Sequence, residues 1–205
     1  MNKRLNKYMN NKLILASKSP RRQQLLKEAG FDFMVKTLDT EESYPETLAA
    51  SNVAKFLAKK KAEGFIPILK DGETVITADT VVILNDEILG KPTNHAEARA
   101  MLEALSGQQH QVTTAVCIAS RDKIVAFDDT TVVYFKQLSK EEIEYYIEKY
   151  QPFDKAGAYG IQEWIGMIGI QKIEGSYFTV MGLPTHLVYE ALKSFRVRSN
   201  NQLPI

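Results

Sequence analysis

Two adjacent arginines stand where a short apolar run gives way to a helical pattern. Ser19 is a good N-cap and Pro20 suits the first turn of a helix, so Arg21 and Arg22 fall in that turn. The positive end of the helix dipole and the free backbone N–H groups favour an anion there, which makes two guanidiniums a mismatch for an unliganded helix. A solvated basic helix start has the same composition, but the neighbouring serines favour a phosphate site.

Asp79 lies inside a β-branched and apolar stretch, residues 75–83, which predicts a buried strand. Alternation along the strand places Asp79 on the same face as Val75 and Val81. An ionised carboxylate on such a face needs a cation or several donors to offset its lost hydration. Metal coordination or a role as a base meets that need, and so does a structural aspartate at a bulge or strand end.

Lys61 extends the apolar helical stripe of Val53 and Leu57 by one more i+4 step. Its side chain therefore either enters a cleft or extends along the surface into solvent. The lysine run at 59–61 favours a solvated face when it is taken alone.

Residues 157–162, with the sequence GAYGIQ, combine small residues with an amide. Small residues let the backbone approach a ligand, and the amide of Gln162 offers a donor and an acceptor to a nucleobase edge. A flexible surface loop is the alternative interpretation of the same residues.

The sequence gives little support to a histidine metal site, a cysteine nucleophile or a glycine-rich nucleotide-binding motif. His95, His110 and His186 share no metal-ligand spacing and are expected at the surface or at helix caps. Cys117 lies in an apolar strand, where an inert buried thiol is expected. The sequence contains neither a P-loop motif nor a Gly-x-Gly-x-x-Gly motif, so these two kinds of nucleotide site are not indicated.

Length and composition indicate one globular domain over residues 1–205, with a polar extension at 1–11 and a polar tail at 196–205. The 26 basic and 25 acidic residues leave a net charge of +1, so we expect no stable nucleic-acid partner. A single cysteine is typical of a reducing compartment, which makes the cytoplasm the expected location. No apolar stretch is long enough for a membrane span.

Periodicity and turn residues predict an α/β fold, a mixed sheet with helices on its faces, because strands and helices alternate first and a hairpin at 121–122 follows. The predicted strands are 13–16, 31–37, 74–84, 87–89, 111–119, 123–135 and 165–173. The predicted helices are 20–29, 51–62, 95–106, 140–150 and 184–194.

Five segments, in this order, resemble the Maf (septum formation) family of nucleoside triphosphate pyrophosphatases. They are 15–22 (LASKSPRR), 78–82 (ADTVV), 90–92 (GKP), 154–162 (DKAGAYGIQ) and 182–184 (GLP), and the resemblance spans about 13–195. It implies a twisted mixed sheet in two lobes around a cleft, related to the inosine triphosphate pyrophosphatase fold. It also implies hydrolysis between the α and β phosphates, giving the monophosphate and pyrophosphate, with Mg²⁺ or Mn²⁺.

The resemblance further implies site residues at Ser17, Arg22, Glu42, Lys61, Asp79, Lys91 and Gln162, and we expect Ser19, Arg21 and Thr80 to bind substrate beside them. The AYGIQ form of the late motif is similar to the subgroup acting on dTTP and UTP, not the one favouring 7-methyl-GTP. Glu41 is an alternative to Glu42 as second carboxylate, because that segment is less similar. The expected catalytic residues are Asp79, Lys61, Lys91 and Arg22; the substrate-binding residues are Ser17, Ser19, Arg21, Thr80 and Gln162; the metal ligands are Glu42 and Asp79.

A triphosphate carries about four negative charges near neutral pH, so neutralisation and positioning are the main catalytic needs. Oxygen ligands suit Mg²⁺ or Mn²⁺ and disfavour zinc. A competing hypothesis is a non-catalytic nucleotide- or nucleic-acid-binding regulator of septation that uses Arg21, Arg22 and the basic N-terminus; a phosphomonoesterase is a third. Since small enzymes are often symmetric dimers, we expect a homodimer.

Overall fold

The computed structural model describes residues 12–195, so the polar extension at 1–11 and the polar tail at 196–205 lie outside the described residues. The strands are β1 (Lys12–Leu15), β2 (Phe33–Val35), β3 (Glu73–Leu84), β4 (Glu87–Leu89), β5 (Gln109–Ala119), β6 (Ile124–Phe135) and β7 (Ile170–Glu174). The helices are α1 (Pro20–Glu28), α2 (Ala50–Phe65), α3 (His95–Leu105), α4 (Lys140–Tyr150), α5 (Trp164–Gly169), α6 (Tyr177–Met181) and α7 (Thr185–Lys193).

All described strands belong to one mixed sheet, which confirms the predicted architecture. The strand order is β2-β1-β3-β5-β6-β7, with β4 beside the end of β3. The strand β1 runs parallel to both β2 and β3, whereas β5, β6 and β7 pair antiparallel with their neighbours. The predicted hairpin joins β5 to β6 in unbroken register. The long strand β3 therefore lies near the middle of the sheet, between the parallel and antiparallel parts.

Each face of the sheet carries a hydrophobic cluster, and the alternation of β3 divides its side chains between the two. Ile76 and Val82 pack into the cluster that also takes α1, α3, α4 and α7. Val75 and Val81 pack into the cluster that α2 covers. Asp79 shares the parity of Val75 and Val81, so it lies on the face that α2 covers, as the alternation predicts.

The predicted strand at 165–173 is wrong in its first half, because residues 164–169 form α5 and only residues 170–174 form β7. Periodicity alone does not distinguish a short apolar run in a strand from one in a helix. The helix is favoured by close packing at Gly166, where a Cβ would lie 1.9 Å from the carbonyl oxygen of Ile161. The helical turn brings that glycine against the preceding backbone and buries Ile165 completely.

Two element ends also differ from the predictions. The helix α2 continues through Gly64 to Phe65, because Phe65 is 2% exposed and its burial outweighs the helix-breaking tendency of glycine. The strand β2 is shorter than the predicted 31–37. No helix of residues 12–195 has the length and apolar character needed to cross a membrane.

His110 lies in the core, so the expectation of a surface or cap position is wrong for this histidine. Its Nε2 lies 2.8 Å from the Tyr159 hydroxyl, and its ring stacks on Phe135. Its Nδ1 is buried without a hydrogen-bond partner within residues 12–195. Burial lowers the pKa of His110 to about 4.

This burial predicts a pH dependence of stability. Between pH 6.5 and pH 4 the unfolded chain binds a proton at His110 that the folded chain does not, so stability falls as the pH falls through this window. The free energy of unfolding should drop by up to about 3 kcal/mol from this group, and nothing should be lost from it above pH 6.5. Urea unfolding at a series of pH values measures the loss. In His110→Gln the free energy of unfolding should change less between pH 6.5 and pH 4 than in the wild type. Equal slopes in the two proteins would contradict the prediction.

Candidate active site

The first turn of α1 begins at the end of β1 and is capped by its own serines. Ser19 is the N-cap, and its Oγ accepts a hydrogen bond from the backbone N–H of Arg22 at 3.4 Å. The Oγ of Ser17 accepts from the backbone N–H of Ser19 at 3.2 Å. These local bonds fix the turn, and Arg22 in it contacts the middle of β3, the strand that pairs with β1.

The Arg22 guanidinium is held by acceptors on both sides of Asp79. Its Nη1 donates to the Ala78 carbonyl at 2.9 Å, its Nη2 to the Thr80 hydroxyl at 2.9 Å, and its Nε to the Gly182 carbonyl at 2.8 Å. Burial lowers the pKa of Arg22, while the charge of Asp79 opposes that shift. Arg22 therefore joins α1 to β3 and to the turn after α6, and it fixes the backbone on either side of the carboxylate.

The Thr80 hydroxyl continues these contacts into the sheet. It lies 2.9 Å from the hydroxyl of Thr114, which itself donates to the Thr179 carbonyl at 2.7 Å. Since a hydroxyl has one proton, Thr114 accepts from Thr80, and Thr80 accepts from Arg22. The chain of donors thus has one direction, from the arginine into the core.

Lys61 enters the cavity instead of following the surface. Its Nζ lies 2.6 Å from Asp79 Oδ1 and 2.7 Å from Glu42 Oε1, and its side chain is 17% exposed. The Nζ of Lys91 approaches Glu42 at 4.0 Å. The hydrogen bond from Lys61 lowers the pKa of Glu42, with burial opposing and the charges of Lys61 and Lys91 adding to the shift. Glu42 is therefore ionised at neutral pH.

Of the two adjacent glutamates, the structure brings Glu42 to the lysines. Glu42 lines both cavities described below, whereas Glu41 lines only the outer one. Glu42 is thus the carboxylate that shares a cation with Asp79.

Two adjoining cavities contain every predicted site residue. The inner cavity has a volume of about 150 Å³ and the outer one about 650 Å³. Both are lined by Ser19, Arg21, Arg22, Glu42, Lys61, Lys91 and Asp154. Asp79, Thr80 and Gln162 line the inner cavity alone, and Ser17 lines the outer one. The structure therefore brings carboxylates, cations and the amide around one connected space.

The donor set fits a divalent cation that arrives with a phosphate ligand. Two carboxylates, Asp79 and Glu42, converge on one ammonium, which marks a place suited to positive charge. No group of three or more metal-binding side chains occurs within residues 12–195. Mg²⁺ commonly binds through one or two carboxylates together with substrate phosphates, so two are enough here.

A buried lysine that no periodic sequence pattern singles out lines the inner cavity as well. Lys155 Nζ lies 2.6 Å from Asp154 Oδ1 and 3.2 Å from Glu163 Oε1, and its side chain is 8% exposed. Asp154 also approaches Arg21 at 3.6 Å. Because Glu163 and Lys155 are separated by a loop without periodicity, only the DKAGAYGIQ motif itself pointed to this position.

The chain resembles known proteins over nearly all of its described length. The Maf-like protein family matches residues 12–195. A dTTP/UTP pyrophosphatase of Parabacteroides distasonis is 50% identical over 90% of this chain and 96% of its own length. Proteins of the same name from Porphyromonas gingivalis and Flavobacterium psychrophilum are each 50% identical, over 90% and 89% of this chain and 94% of theirs.

Among solved structures, the Staphylococcus aureus Ham1 protein aligns at 18% identity with a TM-score of 0.46. The alignment covers 64% of this chain and 88% of that one, and a likeness of this size says nothing about activity. The family match and the identity to the three relatives each extend over most of the sequence. This chain therefore belongs to the Maf family.

Proposed function

We propose that this protein hydrolyses dTTP and UTP to the nucleoside monophosphate and pyrophosphate. The observation that carries the proposal is the cavity in which Asp79 and Glu42 face the cations Arg21, Lys61 and Lys91. An arrangement of this charge suits a polyphosphate with a divalent cation. The names of the relatives at 50% identity support the choice of dTTP and UTP.

In the proposed reaction, Asp79 accepts a proton from a water molecule whose oxygen attacks the α-phosphorus. The bond between that phosphorus and the bridging oxygen breaks, and pyrophosphate leaves with the electron pair. Lys61, Lys91 and Arg21 hold the phosphate oxygens and stabilise the charge that develops on the leaving group. Glu42 and Asp79 would hold Mg²⁺ or Mn²⁺, which supplies further charge neutralisation and makes the attacking water more acidic.

The remaining predicted residues would orient the substrate. Ser17 and Ser19, with the backbone N–H groups at the start of α1, form the phosphate end of the site. Arg22 holds Thr80 and the backbone beside Asp79, and two of its five N–H donors remain for a phosphate after the three bonds to the protein. The Gln162 amide would pair with the adjacent carbonyl and N–H of a thymine or uracil ring.

Product analysis tests the proposal. Purified protein is incubated with dTTP or UTP and Mg²⁺ or Mn²⁺, and monophosphate, pyrophosphate and orthophosphate are measured separately. We expect equal amounts of monophosphate and pyrophosphate. Orthophosphate alone would point to a phosphomonoesterase and overturn the proposal. No product together with salt-dependent DNA binding would favour the regulator instead.

We further propose that the enzyme works as a homodimer in the cytoplasm, without a stable nucleic-acid partner. A net charge of +1 supports the absence of a polyanion partner, and a single buried cysteine is compatible with reducing conditions. Light scattering after size exclusion should give twice the chain mass of 23.1 kDa.

Lys91 offers a test of substrate contact that is separate from folding. Its side chain is 60% exposed, and its nearest carboxylate contact is the 4.0 Å approach to Glu42. We expect Lys91→Ala to lower kcat/KM about 10- to 100-fold, because a cation on the leaving group is lost. The free energy of unfolding should change by less than about 0.5 kcal/mol.

Steady-state kinetics and urea unfolding measure the two effects, with Lys193→Ala as the control. Lys193 is an exposed lysine paired with Glu190 outside the cavities, so its removal should leave both quantities unchanged. An unaltered kcat/KM in Lys91→Ala would remove this lysine from the reaction.

A further inference from the structure

A network of buried polar contacts among Lys155, Glu163 and Tyr146 holds the segment 154–163, and the proposed reaction gives these three side chains no role. Lys155 is buried, alone among the lysines of residues 12–195. Its ammonium lies between the carboxylates of Asp154 and Glu163. A buried ammonium requires such partners, so the charge of Lys155 holds both carboxylates in place.

Glu163 connects this lysine to α4. Its Oε2 accepts a hydrogen bond from the hydroxyl of Tyr146, which is fully buried. The same hydroxyl accepts from the backbone N–H of Gly160 at 3.0 Å. Burial, and then the hydrogen bond to Glu163, raise the pKa of Tyr146, so the phenol remains a donor. One carboxylate thus holds Lys155, an α4 side chain and, through that side chain, the loop backbone.

The loop between Lys155 and Glu163 has a backbone conformation that its surroundings, this network among them, must hold. Gly157 has a φ of 69° and Ala158 a φ of 59°, a region that costs a non-glycine residue about 1 kcal/mol or more. A Cβ on Gly160 would lie 2.8 Å from the Glu163 carboxyl carbon, so only glycine admits the carboxylate at this distance. A backbone of this kind persists only where its surroundings hold it.

The same loop forms part of the inner cavity, away from the outer one. Gly160, Ile161 and Gln162 line the inner cavity but not the outer one, whereas Lys61 and Lys91 line both. Neither Glu163 nor Tyr146 lines either cavity. These two residues therefore act on the cavity indirectly, through the loop that they hold and through Lys155, which lines the inner cavity.

We propose that Glu163, held by Lys155 and Tyr146, is a positioning residue that sets the preference for the base by fixing the 157–162 segment against the inner cavity. This inference rests on the proposed function, in which the phosphates lie among the lysines. Every nucleoside triphosphate has the same phosphates, so contacts with the part of the cavity that receives the base determine which base is accepted. Loosening the 157–162 segment should weaken base recognition and leave the phosphate chemistry in place.

Two substitutions loosen the network without removing a group that lines the cavity. Tyr146→Phe deletes one oxygen, and Glu163→Gln keeps the shape but replaces the charge that Lys155 requires. In each variant we expect KM for dTTP and UTP to rise about tenfold with kcat within about twofold of the wild type. The ratio of kcat/KM for UTP to that for ATP should fall about tenfold. Because Tyr146 and Glu163 belong to one network, this ratio should be no lower in the double variant than in either single variant.

Trp164 gives a second readout that needs no turnover. It is the single tryptophan of the chain, it directly follows Glu163, and its ring packs on Tyr145 at 4.8 Å. Its fluorescence is followed during titration with a UTP analogue that has an imido group between the α and β phosphates, and with inorganic tripolyphosphate. In both variants the dissociation constant of the analogue should rise about tenfold, while that of tripolyphosphate stays within about twofold.

One further variant serves as a control, and two others test the charge of Lys155. Tyr134→Phe removes a tyrosine–glutamate hydrogen bond of 3.0 Å, to Glu174, outside the cavities and should change nothing. Lys155→Arg keeps a charge between the carboxylates and should retain most of the base preference, whereas Lys155→Met should lose it. Should Glu163→Gln fail to fold, Tyr146→Phe still decides the question because it deletes a single atom.

The inference is overturned if the variants bind tripolyphosphate and the UTP analogue more weakly by the same factor. It is also overturned if kcat falls while KM and the ratio of kcat/KM for UTP to that for ATP stay constant. A wild type that binds both ligands equally well would also overturn it. Failure of the proposed function looks different: no monophosphate and pyrophosphate are released by the wild type, while the fluorescence titrations still separate wild type from variants.

Discussion

Asp79→Asn is expected to lower kcat for dTTP and UTP by at least about 100-fold with the fold intact, because asparagine cannot accept the proton of the attacking water. The amide keeps the shape of the side chain on β3, and Lys61 retains its contact with Glu42 at 2.7 Å. Loss of one carboxylate should also raise the concentration of Mg²⁺ needed for half-maximal activity. Single-turnover and steady-state kinetics over a magnesium series measure both effects.

Asp128→Asn is the matched control. Asp128 forms an ion pair with Lys55 at 2.8 Å, so it is paired with a lysine as Asp79 is, but it is more exposed and lines neither cavity. Its replacement should leave kcat unchanged, and thermal unfolding should show that both variants are folded. If Asp79→Asn turned over substrate at the wild-type rate, Asp79 would have no part in the chemistry.

The position of Asp79 could be predicted because it depends on local periodicity. A long β-branched strand has a side-chain period of two, so one assigned strand fixes which residues share a face. The same reasoning worked for the start of α1, where Ser19 caps the helix as its sequence indicates. In both places a short stretch of chain contains all the information that determines the geometry.

Lys61 shows where periodicity stops being sufficient. The helical period places Lys61 on the same face as Val53 and Leu57. Whether its side chain enters the cleft or the solvent depends on the residues packed opposite that face. Those residues are Asp79, on a strand that follows α2, together with Glu42 from a segment without regular structure. The ammonium enters the cavity because the two carboxylates offset its lost hydration, and this pairing exists only in the folded chain.

Residues that depend entirely on distant contacts were missed or misplaced. His110 lies against Tyr159 and Phe135, and no sequence pattern near the histidine indicates either contact. The burial of Lys155 requires the turn that returns Glu163 to it. The helix α5 likewise forms where a short apolar run was compatible with a strand. In all three places the outcome depends on tertiary packing, which the local sequence does not encode.

Arg22→Lys is expected to lower the free energy of unfolding by about 2–3 kcal/mol, because a lysine cannot satisfy acceptors that lie in three directions. The guanidinium donates at once to Ala78, Thr80 and Gly182, and these lie on two different elements of the fold. A single ammonium would leave partly buried carbonyl groups without a donor. The loss should appear in urea unfolding at neutral pH.

Arg21→Lys provides the comparison, since it is the same substitution one residue earlier on the same helix. Arg21 has one ion pair, to Asp154 at 3.6 Å, so its replacement should cost at most about 1 kcal/mol. Both variants should lose activity: Arg21→Lys because a phosphate contact weakens, Arg22→Lys because the backbone beside Asp79 is released. Equal stability of the two variants would mean that Arg22 does not hold β3 to α1, and its role would then be that of a phosphate ligand alone.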